Sequence, residues 1–432
     1  MALFPGTSGD DILAWRGISE LTGDIRNRKA ERLKTLGSRE GILYLNDLKG
    51  RLDEEVAFEE KYAAELSEVL KTLDAGRIPS EFAAVHSRFV RLAEEYYWKR
   101  GSVIALHTIC NTFRDVLLRK ALILAEEQLE REGSGRPPAA FCVLAGGSIG
   151  RREQTFCVDT SLHMIHGDLT ADESGWFPLF IQRAANLMKE IGLVKEGGAV
   201  YLANSMRAVG RSGWREEIAG ILGRGERPQQ LELLERADLR LVSGDEALAE
   251  EMLLTVRSAL GYGGNPVSEA AAGLVRTGES LPLSPLVLRG VGREIAEMQT
   301  GLDFFNRLRL EKRGRHKGEF DLEQYALLPL IANVRMLAVC RGLLDTATIA
   351  RIKGLQSRGC LNVDLTDRLL RAYHDFSRLK INRQLAAGGG RENLCFIDPR
   401  KLTPEEESCF RNGLEAVAAI EKIVYLSFTE HG

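Results

Sequence analysis

Residues 145–165, AGGSIGRREQTFCVDTSLHMI, gather the side chains best suited to chemistry. Gly146, Gly147 and Gly150 allow close backbone approach, Ser148 adds a hydroxyl, and Arg151 and Arg152 add two cations. Amides exposed by a glycine turn, joined by hydroxyl and guanidinium donors, suit a phosphate group. Asp159, eight residues beyond Arg151, could hold a magnesium ion that bridges phosphate oxygens. The turn is not a Walker A loop, because no Gly-Lys-Ser/Thr follows, and not a dinucleotide fingerprint, because the next segment alternates as a strand does. A plain chain reversal would use the same glycines, so the surrounding elements have to decide.

Those elements change period along the chain. Asp11–Leu21, Ile25–Leu36 and Leu48–Leu73 space their apolar residues as helices do, and Gly76 and Pro79 break the pattern. Phe82–Lys99 and Ser102–Arg131 read as two further helices, followed by the linker Glu132–Pro138. Ala140–Leu144, Phe156–His166 and Ala237–Val242 read as strands, with helices over Trp176–Ile191 and Arg215–Leu222. On a strand, Asp159, Ser161 and His163 share one face. From Glu246 onward strand signals disappear. Helices are expected over Glu246–Leu260, Pro285–Asn306, Leu322–Arg341, Thr346–Ser357, Val363–Leu385 and Pro404–Phe428. The expected fold is α+β, a small mixed sheet with helices, divided into a helical extension over 1–80, the sheet domain with its leading helices over 81–255, and a helical bundle over 256–432.

Composition bounds the function. The 432 residues carry 61 acidic and 58 basic side chains, a net charge of −3, with 44% apolar and 28% charged residues, which is globular rather than disordered. No apolar run approaches the roughly 20 residues of a membrane helix, and the first residues lack a secretory pattern. The near-neutral balance argues against nucleic acid as the main partner. Seven scattered cysteines form no C-x-x-C pair, so neither a zinc site nor a disulfide framework is expected, and a cytoplasmic location is.

The order Gly147-Ser148, Gly150-Arg151-Arg152-Glu153-Gln154, then Asp159 resembles the signature of the nucleotidyltransferase superfamily. The nearest version is a bacterial family of nucleotidyltransferases related to protein-PII uridylyltransferases, with a C-terminal helical substrate-binding domain. Pro137-Pro138, Met206, Trp214-Arg215, Asp238-Leu239-Arg240, Gly244-Asp245, Asp321-Leu322, Arg335, Thr346 to Arg351 and Gln384 resemble further family positions in order. The resemblance implies that a nucleoside triphosphate rests on Gly147, Ser148, Gly150 and Arg151, with Mg2+ (or Mn2+) on Asp159 and Asp238. It implies transfer of a nucleoside monophosphate to a hydroxyl of a protein, such as a PII-like signalling protein, or of a small molecule. The N-terminal helices could serve subunit contacts in a homo-oligomer.

One departure bears on activity. The family pattern places a second aspartate where this chain has Ser161, and a neutral hydroxyl does not replace a metal-binding carboxylate. The alternative is a catalytically degenerate nucleotide-binding or protein-interaction regulator. For Asp238 a role as base or metal ligand stands beside a structural ion pair with Arg240. For His163 a ligand role stands beside a place in the site wall, for Glu153 an ion pair with Arg151 or Arg152, and for Asp168 a loop carboxylate. The basic run Arg307–Lys317 reads as a solvated helix end and loop, or as a surface that attracts phosphate or an acidic partner.

Overall fold

The computed structural model describes residues 38–157, 161–169, 175–194, 206–224, 227–261, 291–292, 294–295, 298, 300–303, 307–386 and 395–429. Asp159, the two helices expected before residue 37 and the start of the helix expected from Pro285 lie outside the described residues. The chain divides into two compact units, one of residues 1–124 and 186–196, the other of 125–185 and 197–432.

In the first unit, α1 (Ser38–Ala75) and α2 (Pro79–Arg100) form an antiparallel hairpin. Pro79 opens α2, where its missing N–H costs nothing, and Gly101 closes it at φ +65° with its N–H on Tyr97 O at 2.7 Å. Tyr62, Leu66, Val69 and Leu73 of α1 are buried, and the Tyr62 and Tyr96 rings lie 4.1 Å apart. Arg100 has a fully buried side chain that bonds Glu55 and Glu59. α3 (Val103–Arg131) packs Phe113 flat on Phe89 at 3.9 Å.

The second unit holds a four-stranded sheet of order β3-β2-β1-β4. β1 (Phe141–Ala145) runs antiparallel to β2 (Leu162–His166) and to β4 (Arg240–Gly244), and β3 (Ala208–Gly210) runs parallel to β2. One short helical turn, α4 (Gly147–Gly150), follows β1. α5 (Trp176–Glu190) lays Trp176, Phe177 and Phe180 around Phe141 on one face. On the other face Cys142, Leu144 and Ile165 join a core with Trp214 and Ile218 of α6 (Arg211–Arg224) and Met252 of α8 (Glu246–Ala259). α7 (Arg227–Glu235) leads into a 3-10 turn over Arg236–Asp238.

The same core continues into α9 (Leu328–Cys340), α10 (Thr348–Ser357), α11 (Val363–Ala386) and α12 (Pro404–Thr429). Thr403 caps α12: its Oγ1 accepts from Glu406 N at 3.2 Å while Glu406 reaches back to Thr403 N at 2.9 Å. Four expectations need correction. The strand expected from Phe156 begins at Leu162, so Ser161 stands just before it, and Phe156 and Cys157 are bends that follow the glycine turn. The strand expected from Ala237 begins at Arg240, because residues 236–238 form the 3-10 turn. The C-terminal region does contain strands: β5 (Phe320–Asp321) pairs with β6 (Phe396–Ile397), and two residues are too few to show alternation. The helix expected up to Asn306 is broken by Leu302, which pairs with Leu308 as an antiparallel bridge. Among the described residues no helix is long and apolar enough to cross a membrane.

Candidate functional site

The glycine turn sits where β1 ends. Gly146 N–H donates to Ser161 O at 2.9 Å, tying the turn to β2. The amides of Gly150, Arg151, Arg152 and Glu153 donate back to Gly146, Gly147, Ile149 and Ser148 at 2.8, 3.0, 3.1 and 2.8 Å. Gly147 takes φ +55° and Arg152, a non-glycine, φ +56°; the left-handed region costs roughly 1–2 kcal/mol for an ordinary side chain. Gly147 and Ser148 are half-buried, Gly150 fully. A Cβ on Gly150 would lie 2.3 Å from Asp238 O and 2.7 Å from Ala145 O. This glycine lets the turn press against the chain that carries Asp238.

Asp238 is the centre of a buried ion cluster. Its carboxylate accepts from Arg335 Nε at 3.1 Å and Nη2 at 2.6 Å, from Arg351 Nη1 at 2.5 Å and from Arg151 Nη1 at 3.0 Å. Burial alone would raise its pKa, but Arg335, Arg351 and Arg151 overcome that and hold the carboxyl well below the usual carboxylate range. Arg351 also donates to Ala237 O and Asp345 O. Arg240 Nε donates to Ile149 O at 3.0 Å.

Glu153 extends the cluster. It accepts from Arg151 Nε at 2.7 Å, from Thr348 N at 2.7 Å and from the buried Tyr373 hydroxyl. Thr346 Oγ1 donates to Gly150 O at 2.8 Å. The helices α10 and α11 therefore hold the turn by side chain and backbone alike. Arg151 is anchored through Nε and Nη1 and keeps 13% side-chain exposure, with no partner for Nη2 among the described residues. Further along α11, Lys380 bonds Glu323, which also takes the Cys395 thiol at 3.5 Å. Glu323 begins a π-helical turn, 323–327, a form that recurs at functional sites.

At the start of β2, a Cβ at Gly146 would lie 2.9 Å from Ser161 Oγ and 3.8 Å from His163 Nε2, so the two side chains flank the same point. His163 stands edge-on to Trp214 at 6.1 Å. Burial, then the Arg236 charge, lowers its pKa, so the imidazole is neutral at pH 7. Arg236 stacks on Trp214 at 4.7 Å and bonds Glu232 at 2.8 Å and Glu217. Asp168 accepts from Ser212 N and Oγ, both at 2.9 Å, at the start of α6. Among the described residues no three His, Cys, Asp or Glu side chains converge as a metal site requires. The described donors do not fit a built magnesium site, because Ser161 offers a neutral hydroxyl and guanidinium groups take both Asp238 oxygens.

The structure thus brings Gly147, Ser148, Gly150, Arg151 and Asp238 together, with Ser161 and His163 across the turn. Sequence reasoning gave no role to Tyr373, Lys380 and Glu323, and named Arg335 and Arg351 only for their resemblance. Arg335 could have been noticed as the one charge in LPLIANVRMLAVC, since a helix so apolar tolerates a charge only with a partner.

Residues 87–228 match a family model described as "Putative nucleotidyltransferase DUF294". Residues 285–428 match one described as "Putative nucleotidyltransferase substrate binding domain". No curated protein matches the chain. Arg151 and Glu153 fall in the first match and Arg335, Arg351, Tyr373 and Lys380 in the second, with Asp238 between the two.

Proposed function

The chain belongs to the nucleotidyltransferase family that these two matches describe, and on that premise we propose that it binds a nucleoside triphosphate against the turn at Gly147, Ser148 and Arg151. It transfers the nucleoside monophosphate to a hydroxyl held by the helical bundle. The acceptor hydroxyl oxygen bonds to the α-phosphorus as its proton passes to solvent, the bond to the β-phosphate oxygen breaks, and pyrophosphate leaves with the departing electron pair. The observation that carries the reading is Arg151, fixed through Nε and Nη1 by two carboxylates within the half-buried glycine turn. A guanidinium locked in place loses little entropy on meeting a phosphate. In this reading Asp159 would hold a magnesium ion, which would supply charge to offset the phosphates. A uracil base and a PII-like protein acceptor in the cytoplasm are its finer form.

Ser161 favours a second reading, in which the nucleotide binds and is not transferred. Each nucleoside triphosphate, labelled at the α-phosphate, is incubated with the full chain, magnesium or manganese, and cell lysate. Label moving to a protein or small molecule supports transfer and identifies the acceptor class. Retention of unreacted nucleotide selects the second reading, and neither binding nor transfer overturns both.

A further inference from the structure

We infer that the hairpin tip over residues 312–317 is a docking surface for a short acidic segment of a partner protein. The inference goes beyond the nucleotide reading, and its test uses no nucleotide. The tip reads KRGRHK, so four cations, Lys312, Arg313, Arg315 and Lys317, fall within six residues that hold no acid. All four are exposed. Lys312, Arg313 and Lys317 make no ion pair among the described residues. Glu311 N–H donates to Glu319 O at 2.9 Å and Gly318 N–H to Glu311 O at 2.8 Å, which closes the loop as a hairpin. Gly314 and Gly318 take φ +76° and +85° at its bends, a region that glycine enters without strain.

The acids beside the tip are each bonded to a donor of the fold. Glu311 accepts from the Tyr325 hydroxyl at 3.0 Å, Glu319 from His316 Nδ1 at 2.6 Å and Asp321 from Gln324 N at 2.9 Å. A face that serves only solubility mixes the two signs. Here they are sorted, on a chain whose net charge is −3. The tip is also held in place. His316 lies flat on Phe396 of β6 at 3.7 Å, and with its proton on Nδ1 for Glu319, its Nε2 accepts from Arg315 Nε at 3.0 Å. A guanidinium fixed through Nε meets a carboxylate at a lower ordering cost than a loose one. Nucleic-acid bases need an aromatic platform to stack on, and the one ring in the tip already stacks on Phe396. Arg400 and Lys401 add exposed cations after β6, but Glu405, Glu406 and Glu407 follow at the start of α12. A nucleic acid or an anionic membrane presents charge without a gap and meets those acids, whereas a short acidic segment ends before them.

Fluorescence anisotropy of the full chain with a labelled oligoglutamate peptide tests this, beside an oligoglutamine peptide, single-stranded and duplex DNA, and phosphatidylserine vesicles. The oligoglutamate peptide should bind, more weakly as salt rises, and the oligoglutamine peptide should not. Arg313→Ser with Arg315→Ser should weaken binding roughly tenfold. Lys71→Ser, which removes an exposed cation of α1, should leave it unchanged. His316→Phe keeps the stack on Phe396 and removes the acceptor for Arg315, so it should weaken binding about threefold. Charge reversal, Arg313→Glu with Arg315→Glu, should transfer the preference to an oligolysine peptide, a gain that loss of structure cannot produce. No peptide binding by the parent would overturn the inference, as would equal binding by the serine variant. Should that variant not fold, a charge-reversed protein that still prefers oligoglutamate would do the same. Tighter binding of DNA or of vesicles than of the peptide would overturn it too and name the other partner class.

Discussion

Replacing Asp238 by Asn keeps the shape of the side chain and removes the one charge that three guanidinium groups share. The carboxylate is 1% exposed and accepts four hydrogen bonds, two from Arg335 and one each from Arg351 and Arg151. An Asn oxygen can accept two of these, and its NH2 points a donor at a guanidinium. Glu153 alone then faces the cluster. Breaking a buried pair in this way costs roughly 3–5 kcal/mol. For a unit of this size each kcal/mol moves Tm by about 2 °C, so a loss of roughly 6–10 °C is expected. The three arginines hold the Asp238 pKa below that of an unfolded carboxylate. Its contribution is therefore complete above the unfolded value near 4 and disappears only as pH falls through the depressed folded value. Scanning calorimetry of parent and Asp238→Asn should show a constant gap from pH 5 to 8 that narrows only in strong acid. The gap should be the same with and without magnesium. A gap under about 2 °C, or one that appears only with magnesium, would refute the ion cluster as the role of Asp238 and point to metal binding.

Three further outcomes follow from the same contacts. Gly150→Ala places a methyl 2.3 Å from Asp238 O and should cost about 1–3 kcal/mol in chemical denaturation, with weaker triphosphate binding as the turn shifts. Glu421 is pushed up to about 7 by burial, against the pull of its bond from Thr300. Its folded pKa exceeds the unfolded one, so its contribution is full below about pH 4.3 and lost as pH rises through 7; Glu421→Gln should flatten the fall in Tm between pH 5 and 7.5. Ser161→Asp adds a carboxylate beside Gly146 and His163, so it should lower Tm without metal and make magnesium stabilising, and equal magnesium responses in parent and variant would contradict this.

Much of the fold could be read from periodicity, because long helices such as α1, α11 and α12 are amphipathic. The breaks at Gly76 and Pro79 and the helix start at Thr403-Pro404 stand where propensity puts them. What escaped were features too short to have a period. β5 and β6 have two residues each, the turn at Arg236–Asp238 occupies one residue triplet, and Leu302 leaves the helical pattern to pair with Leu308. The site was legible as a glycine turn with a nearby arginine, but its anchoring was not. Arg335 and Arg351 are separated from Asp238 by 97 and 113 residues, and no local pattern reports a contact made across that distance. Gly150 shows the limit of reasoning by residue type. The sequence suggested freedom for a ligand, while the structure places backbone oxygen against the position a side chain would fill.

The central claim, that a nucleoside triphosphate lies on the glycine turn facing α11, is tested most directly by amide hydrogen exchange of the full chain with and without triphosphate and magnesium. The account predicts slower exchange over residues 146–154 and around Tyr373 on α11, with little change in the α1–α2 hairpin. Unchanged exchange at the turn with a saturating nucleotide, or protection confined to other segments, would contradict it.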